Sequence, residues 1–319
     1  MYEREHKITF VGPLRKQCKQ FVGQKKALGL KYETEAYIMT VFDKFLLEND
    51  APADCLPKEF AVEFAAKKED ESDKSFSNRA SLVRQFGEFM VRMGYDAYIL
   101  PSFRIFKSSF VPHIYTQNEL VSIFSALDRI KPYHHSNAHK TYPVIFRVLY
   151  CCGLRVNEAL KLKVKEVDLN NGVFTIKNAK WDTERLVPMS DSLLKICRKY
   201  YNEMHSAGSH EYFFPAKDGG FHGAGSLLTR LKKILLECEI PSTARVHDFR
   251  HTFAVHVLNR WANDGDDICV CLPILSKYMG HASIAGTERY LRLTADVYPD
   301  VVGIFENHFG GVIPEVRII

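Results

Sequence analysis

The sequence predicts a mainly α-helical chain with one small antiparallel β-sheet, divided into two domains. Three observations carry that expectation. The first third shows apolar stripes at helical spacing and no strand-like alternation. Residues 167–189, VDLNNGVFTIKNAKWDTERLVPM, read as short β-type runs around turn signals. Residues 98–113, YILPSFRIFKSSFVPH, carry two prolines and no clear period, which marks a linker. At 319 residues the chain is long enough to bury two cores.

In chain order, Leu14, Cys18, Phe21 and Val22 are spaced for one helical face that Gly29 can end. Tyr37, Val41 and Phe45 recur at four-residue steps, and Pro57 can open a third helix with Phe60 and Phe64. Leu82, Phe86, Phe89, Met90 and Met93 form a fourth stripe closed by Gly94. These stripes predict the core of a helical bundle. Lys16, Lys19, Lys25, Lys26, Arg79 and Arg84 between them read as a solvated face, with a DNA-facing role as the less favoured alternative. After the linker, Thr116 and Glu119 form a capping box that starts a helix carrying Leu120, Ile123 and Phe124. Asn171-Gly172 is a turn, residues 173–176 and 186–189 are strands, and residues 179–183 join them with Lys180 at the tip. The first domain is assigned to residues 1–107 and the second to 108–319.

Composition narrows the class. The chain is 46% hydrophobic and 25% charged, as in soluble globular proteins. A net charge of +5 permits a nucleic-acid partner without demanding one. The eight cysteines are scattered without zinc-finger spacing, which points to buried thiols in a reducing compartment. MYEREHKITF has no apolar core of a signal peptide, and no apolar run approaches the ~18 residues of a membrane span. A cytoplasmic protein without a membrane partner is expected.

Three stretches can carry chemistry. In GLRVNEALKL, residues 153–162, Arg155 and Glu158 stand three apart and share a helix face, a spacing that a surface ion pair also produces. In VHDFRHTFAVHVL, residues 246–258, His247 and Arg250 point the same way, while Phe249, Phe253 and Val257 form a separate apolar stripe. Zinc would use His247 and His251, but Asp248 stands where H-E-x-x-H needs a glutamate, and Arg250 opposes a dication. Two donors on one face, one permanently cationic, suit an oxyanion better. In LSKYMGHASIAGTERYLRL, residues 275–293, His281 follows a glycine and Tyr290 comes nine residues later, after a polar turn with Ser283, Gly286 and Thr287. A lone tyrosine is ordinarily structural; Tyr290 is set apart by Arg289 and by Gly280-His281 upstream.

Taken together, these stretches resemble the tyrosine recombinase (phage integrase) family. Gly153-Leu154-Arg155 with Glu158 is similar to its G-L-R-x-x-E motif. Lys180 ahead of Glu184-Arg185 and Pro188 looks like its hairpin lysine before E-R-x-V-P. His247 to Ala254 resembles its H-D-L-R-H-T-F-A box, and Met279-Gly280-His281 with Tyr290 its L-G-H and tyrosine. The resemblance covers roughly residues 115–295, and the helical first third is similar to the family's SAM-like core-binding domain.

The resemblance implies a helical DNA-binding bundle followed by a tyrosine-recombinase catalytic domain with a C-terminal tail. It implies that Tyr290 attacks a DNA phosphodiester and stores the bond as a 3′-phosphotyrosyl ester, with strands exchanged through a Holliday junction. Arg155 and Arg250 would clamp the transition-state oxygens. Lys180 would protonate the 5′-alkoxide leaving group, and His247 and His281 would bond the phosphate, with His247 also taking the tyrosine proton. Glu158 would orient a neighbouring catalytic group. No metal or other cofactor is expected, because positioned cations alone can support this transfer. The partners implied are double-stranded DNA with specific recombination sites and three further copies of the chain, a homotetramer on two sites, at the nucleoid. The tail after Tyr290 could dock on a neighbouring copy or on its own domain. Two rivals share these residues: a DNA-binding accessory protein of recombinase descent, and a type IB topoisomerase-like relaxing enzyme. Residues 261–274, WANDGDDICVCLPI, depart from the family's shorter turn and are expected to form a surface loop.

Overall fold

The computed structural model describes residues 8–102, 111–178, 183–206, 208, 210–281 and 283–297. The chain is mainly helical with a small antiparallel sheet, as expected. It divides into two compact units, residues 3–110 and residues 111–319 with 1–2.

The first unit contains α1 (Arg15–Ala27), α2 (Glu33–Glu48), α3 (Lys58–Ala65) and α4 (Asp73–Arg92), with two-residue strands β1 (Cys55–Leu56) and β2 (Asp96–Ala97) paired in parallel. Its core is aromatic: the rings of Phe21, Phe42 and Phe89 pack around Phe86, with Phe21 and Phe86 edge to face at 5.5 Å, and Phe64 packs on Phe42. Burying each such side chain contributes about 1.5–3 kcal/mol, so the cluster dominates local polar contacts. Ser72 caps α4 by accepting from the Ser75 N–H. Gly12 is fixed by close approach, since a Cβ there would lie 2.2 Å from the Asp43 carbonyl oxygen. That approach lets the buried Asp43 carboxylate accept both the Val11 and Gly12 N–H groups at 2.7 Å.

Three expectations for this unit need correction. On α2 the buried face is Ala36, Met39, Phe42 and Leu46, whereas Tyr37 and Val41 are 44% and 42% exposed. The four-residue repeat selected the neighbouring face, because a helix of 3.6 residues per turn carries apolar side chains on adjacent faces too. Arg79 is buried rather than solvated, bonded to the carbonyls of Phe64 and Ala66 at the end of α3 and paired with Glu71. The segment expected as linker begins later than Tyr98, whose N–H donates to the Leu56 carbonyl at 2.8 Å, and Leu100 is buried.

The second unit begins with the capping box: Glu119 N–H donates to Thr116 Oγ1, and Thr116 N–H to Glu119 Oε2. The helices are α5 (Gln117–Asp128), α6 (Ala138–Cys151), α7 (Val156–Leu160), α8 (Asp191–His205), α9 (Ala224–Glu237), α10 (Asp248–Asp264), α11 (Ile268–Met279) and α12 (Ala285–Val297). Strands β3 (Val167–Asp168), β4 (Val173–Asn178) and β5 (Thr183–Pro188) form an antiparallel sheet in sequence order, with Ile176 opposite Arg185. Gly172, at φ +68, makes the turn into β4. Lys180 and the rest of 179–182 lie outside the described residues, as do 298–319, which hold most of the tail.

The loop expected over 261–274 is mostly helix. Trp261 to Asp264 complete α10, which Gly265 ends in a left-handed conformation at φ +82. Asp267 caps α11 by accepting from the Cys269 N–H, and Ile268, Leu272 and Leu275 bury one face. Polar residues at 263–267 are a cap-to-cap junction between two helices, not a long loop.

Candidate active site

The site is built where α11 ends. A helix leaves its last carbonyls without intrahelical partners and presents a partial negative charge there. Three arginines from separate segments donate to three successive carbonyls: Arg185 Nε to Tyr278 at 2.9 Å, Arg250 Nη2 to Met279 at 2.7 Å and Arg155 Nη2 to Gly280 at 2.8 Å. Gly280 ends α11 at φ +67, and a Cβ there would come 2.8 Å from the Arg185 guanidinium. His281 follows directly.

Arg155 is the N-cap residue of α7, with Glu158 at the third helical position. The pair is more than a surface contact. Glu158 accepts the Arg155 N–H at 2.9 Å and Arg155 Nη1 at 2.7 Å, and its side chain is only 12% exposed. Arg185 adds two further bonds to the same carboxylate, at 3.1 and 2.7 Å. Burial works against the Glu158 charge, but the bonds from Arg185 and Arg155 outweigh it and hold its pKa below the ordinary value.

Arg250 lies on the first turn of α10 and is 2% exposed. Its Nη1 donates to the Gly153 carbonyl at 2.6 Å, and its Nη2 also donates to His281 Nε2 at 2.9 Å. Gly153 sits at φ +57 with the Phe253 ring where a Cβ would be, so G-L-R begins with glycine for steric reasons. Because His281 Nε2 accepts, its proton is on Nδ1, which donates to the buried Thr287 Oγ1 at 2.6 Å. Thr287 belongs to the first turn of α12 rather than to a turn before it.

Tyr290, on α12, is 1% exposed, its ring 5.5 Å from that of His251 and 6.1 Å from that of His281. The His247 and His251 rings stand perpendicular at 4.9 Å, and Arg289 Nη2 donates to His251 Nδ1 at 3.1 Å. Burial, reinforced by Arg250 and its neighbouring arginines, lowers the pKa of His247 and of His281 to about 4. His251 falls to about 3 through burial, His247 and Arg289. Arg250 itself falls to about 10 through burial and the Arg155 charge. These are the marks of a positively charged enclosure in which the histidines are neutral at pH 7. A cation would meet the same repulsion; an anion would relieve it.

The fold therefore brings Arg155, Glu158, His247, Arg250, His281 and Tyr290 together from four segments, while Lys180 falls outside the described residues. Arg185, His251, Thr287 and Arg289 are also present and were not selected from the sequence as site residues. One signal was available for Arg185: strand alternation puts it on the same side of β5 as the buried Val187.

A mainly helical domain that encloses a tyrosine with histidines and arginines defines the class. Residues 114–296 match the phage integrase family, and the chain belongs to that family of tyrosine recombinases. It is 29% identical over 311 residues to y4rB of Sinorhizobium fredii, which carries an integrase/recombinase name, covering 92% of this chain and 98% of that one. It is 27% identical to the tyrosine recombinase XerC of Oceanobacillus iheyensis, covering 70% and 72%. In fold it is similar to the Tn1549 transposon integrase in complex with circular intermediate DNA, with a TM-score of 0.61, 20% identity and coverage of 86% and 94%.

Proposed function

We propose that this enzyme is a site-specific DNA recombinase that cuts and rejoins duplex DNA through Tyr290. The observation that carries the reading is the uncompensated positive enclosure around a buried tyrosine. Among the described residues Arg155 and Arg185 pair with the one carboxylate of Glu158, Arg250 donates to carbonyls and His281, and three neutral histidines complete the wall. A phosphodiester is an anion of the size and charge this arrangement lacks.

In the proposed reaction, Tyr290 Oη attacks the scissile phosphorus while the bond to the 5′-oxygen breaks. The tyrosine proton passes to His247, which is neutral and able to accept it. Lys180 delivers a proton to the departing 5′-oxygen. Arg155 and Arg250 stabilise the non-bridging oxygens, and His281 offers the phosphate a hydrogen bond once its proton sits on Nε2 instead of Nδ1, Thr287 Oγ1 then donating to Nδ1. Glu158 orients Arg155. The ester energy is retained in the 3′-phosphotyrosine, so a 5′-hydroxyl from the partner duplex reverses the step without ATP or hydrolysis. Exchange proceeds through a Holliday junction in a homotetramer on two sites at the nucleoid, with residues 1–107 as the core-binding domain gripping the duplex.

A pool of nicked duplexes of randomised sequence tests this. The expected result is a protease-sensitive covalent DNA adduct that disappears in Tyr290→Phe. An adduct that survives the substitution, or none from the unaltered chain, overturns the assignment. Joined products from two captured sites separate recombination from relaxation alone.

A further inference from the structure

We propose that Arg185 is a positioning residue for strand cleavage, holding Arg155 and the Gly280-His281 turn in register through Glu158 and the Tyr278 carbonyl. The inference deepens the cleavage reading above and rests on it for its kinetic consequence.

The bonds run in a closed circuit. Arg185 forks onto both oxygens of Glu158 at 3.1 and 2.7 Å. Glu158 in turn accepts the backbone N–H and Nη1 of Arg155. Arg155 Nη2 reaches the Gly280 carbonyl, and Arg185 Nε closes the circuit at the Tyr278 carbonyl, two residues earlier. Gly280 lies against the Arg185 guanidinium with no room for a side chain. Both ends of the Arg155–Gly280 contact are thus set by one planar group on β5. The Arg185 side chain is 11% exposed, so water cannot take over its bonds.

Without Arg185, the Glu158 carboxylate keeps, among the described residues, only Arg155 as a cationic partner. It is free to turn onto that guanidinium and draw it from Gly280. The Tyr278 carbonyl loses its donor at the same time, releasing the turn that carries His281. A lysine cannot substitute, because one ammonium cannot span two carboxylate oxygens and a carbonyl in one plane. Arg155 is 38% exposed and open to a ligand, whereas Arg185 is covered; their division of labour follows from that difference.

Arg185→Lys, Glu158→Gln and the double variant test the proposal on a nicked duplex captured by the unaltered chain. Binding by Arg185→Lys is expected within about 2-fold of the unaltered chain, while single-turnover adduct formation falls about 10²-fold, as expected for a displaced reacting group. The double variant is expected to be no slower than Arg185→Lys alone, because both changes open the same circuit. Replacing the scissile 5′-oxygen with sulfur, which needs no acid to depart, is expected to leave the defect in place. Restoration by sulfur would place the effect on leaving-group protonation and overturn the proposal. A loss of cleavage matched by equal losses of binding and of folded protein would reduce Arg185 to a structural ion pair and overturn it too.

The DNA-free protein supplies a reading independent of catalysis. Imidazole nitrogen spectra of His281 are expected to shift in Arg185→Lys; unchanged spectra overturn the positioning role. Failure of the unaltered chain to form an adduct would instead sink the cleavage reading, leaving the spectra to decide the role of Arg185.

Discussion

Buried arginines occur in both units, and their surroundings differ in one respect. Arg79 in the first unit donates to the Phe64 and Ala66 carbonyls and pairs with Glu71, whose pKa its hydrogen bonds lower. One cation meets one carboxylate. At the end of α11, Arg155, Arg185 and Arg250 also donate to the last carbonyls of a helix, yet among the described residues Glu158 is the one carboxylate paired with any of them, bonding Arg155 and Arg185. Capping carbonyls with arginine is therefore a structural device in both places. What distinguishes the second place is scarce countercharge: burial first, and then the neighbouring arginines, lower the pKa of Arg250 and of His281.

The comparison can be broken most sharply at Arg250. Arg250→Ala is expected to slow adduct formation by about 10²–10³-fold while duplex binding stays largely intact, as for loss of one transition-state donor. Equal loss of both would make Arg250 a docking residue. The matching change, Arg79→Ala, is expected to cost about 1–3 kcal/mol of stability in urea unfolding, since the Phe64 and Ala66 carbonyls and the half-buried Glu71 lose their donor. Its cleavage rate per folded molecule should not move; a slowdown like that of Arg250→Ala would erase the distinction.

Acid sharpens the contrast. His247, His251 and His281 titrate near 4, 3 and 4 in the fold, below the ordinary 6.5. As pH falls through about 6.5 the unfolded chain takes up these protons and the folded chain does not, so the unfolded state binds more. Their contribution is complete above about 6.5 and is lost as pH falls towards 4. Thermal midpoints measured from pH 7 down to 4 should drop, and the drop should shrink in His251→Phe; a flat profile would contradict the positive enclosure. The smallest effect is expected at the exposed Lys44–Glu48 pair, whose side chains are 68% and 60% exposed. Glu48→Gln should change stability by less than about 1 kcal/mol in the same urea assay, because solvent already screens the pair.

Much of the site was legible because its residue types are uncommon in combination. A histidine and an arginine three apart on one helix, G-L-R with a following glutamate, and glycine-histidine with a tyrosine nine residues on survive as linear patterns. Arg185 was legible as part of E-R-x-V-P but not as a partner of Glu158, since the bond joins residues 27 positions apart. His251 gave no sign of its place beside Tyr290, because that contact needs α10 and α12 packed together. The α2 stripe through Tyr37 and Val41 failed for a related reason. Periodicity identifies apolar faces, and the neighbours of a helix choose which of them is buried.

The chemistry on offer and the order of its parts were set by the sequence alone: the tyrosine, the guanidinium pair, the histidines, the capping box at Thr116 and the turn at Gly172. These depend on residue type and on spacing within a few turns, which local geometry translates directly. Only the tertiary structure decided the countercharge. Which arginines end up balanced, as Arg79 is by Glu71, and which crowd around one carboxylate, as Arg155, Arg185 and Arg250 do, depends on distances between segments remote in sequence. Electrostatic energy follows separation in space and exclusion of water, and neither quantity exists until the chain is folded.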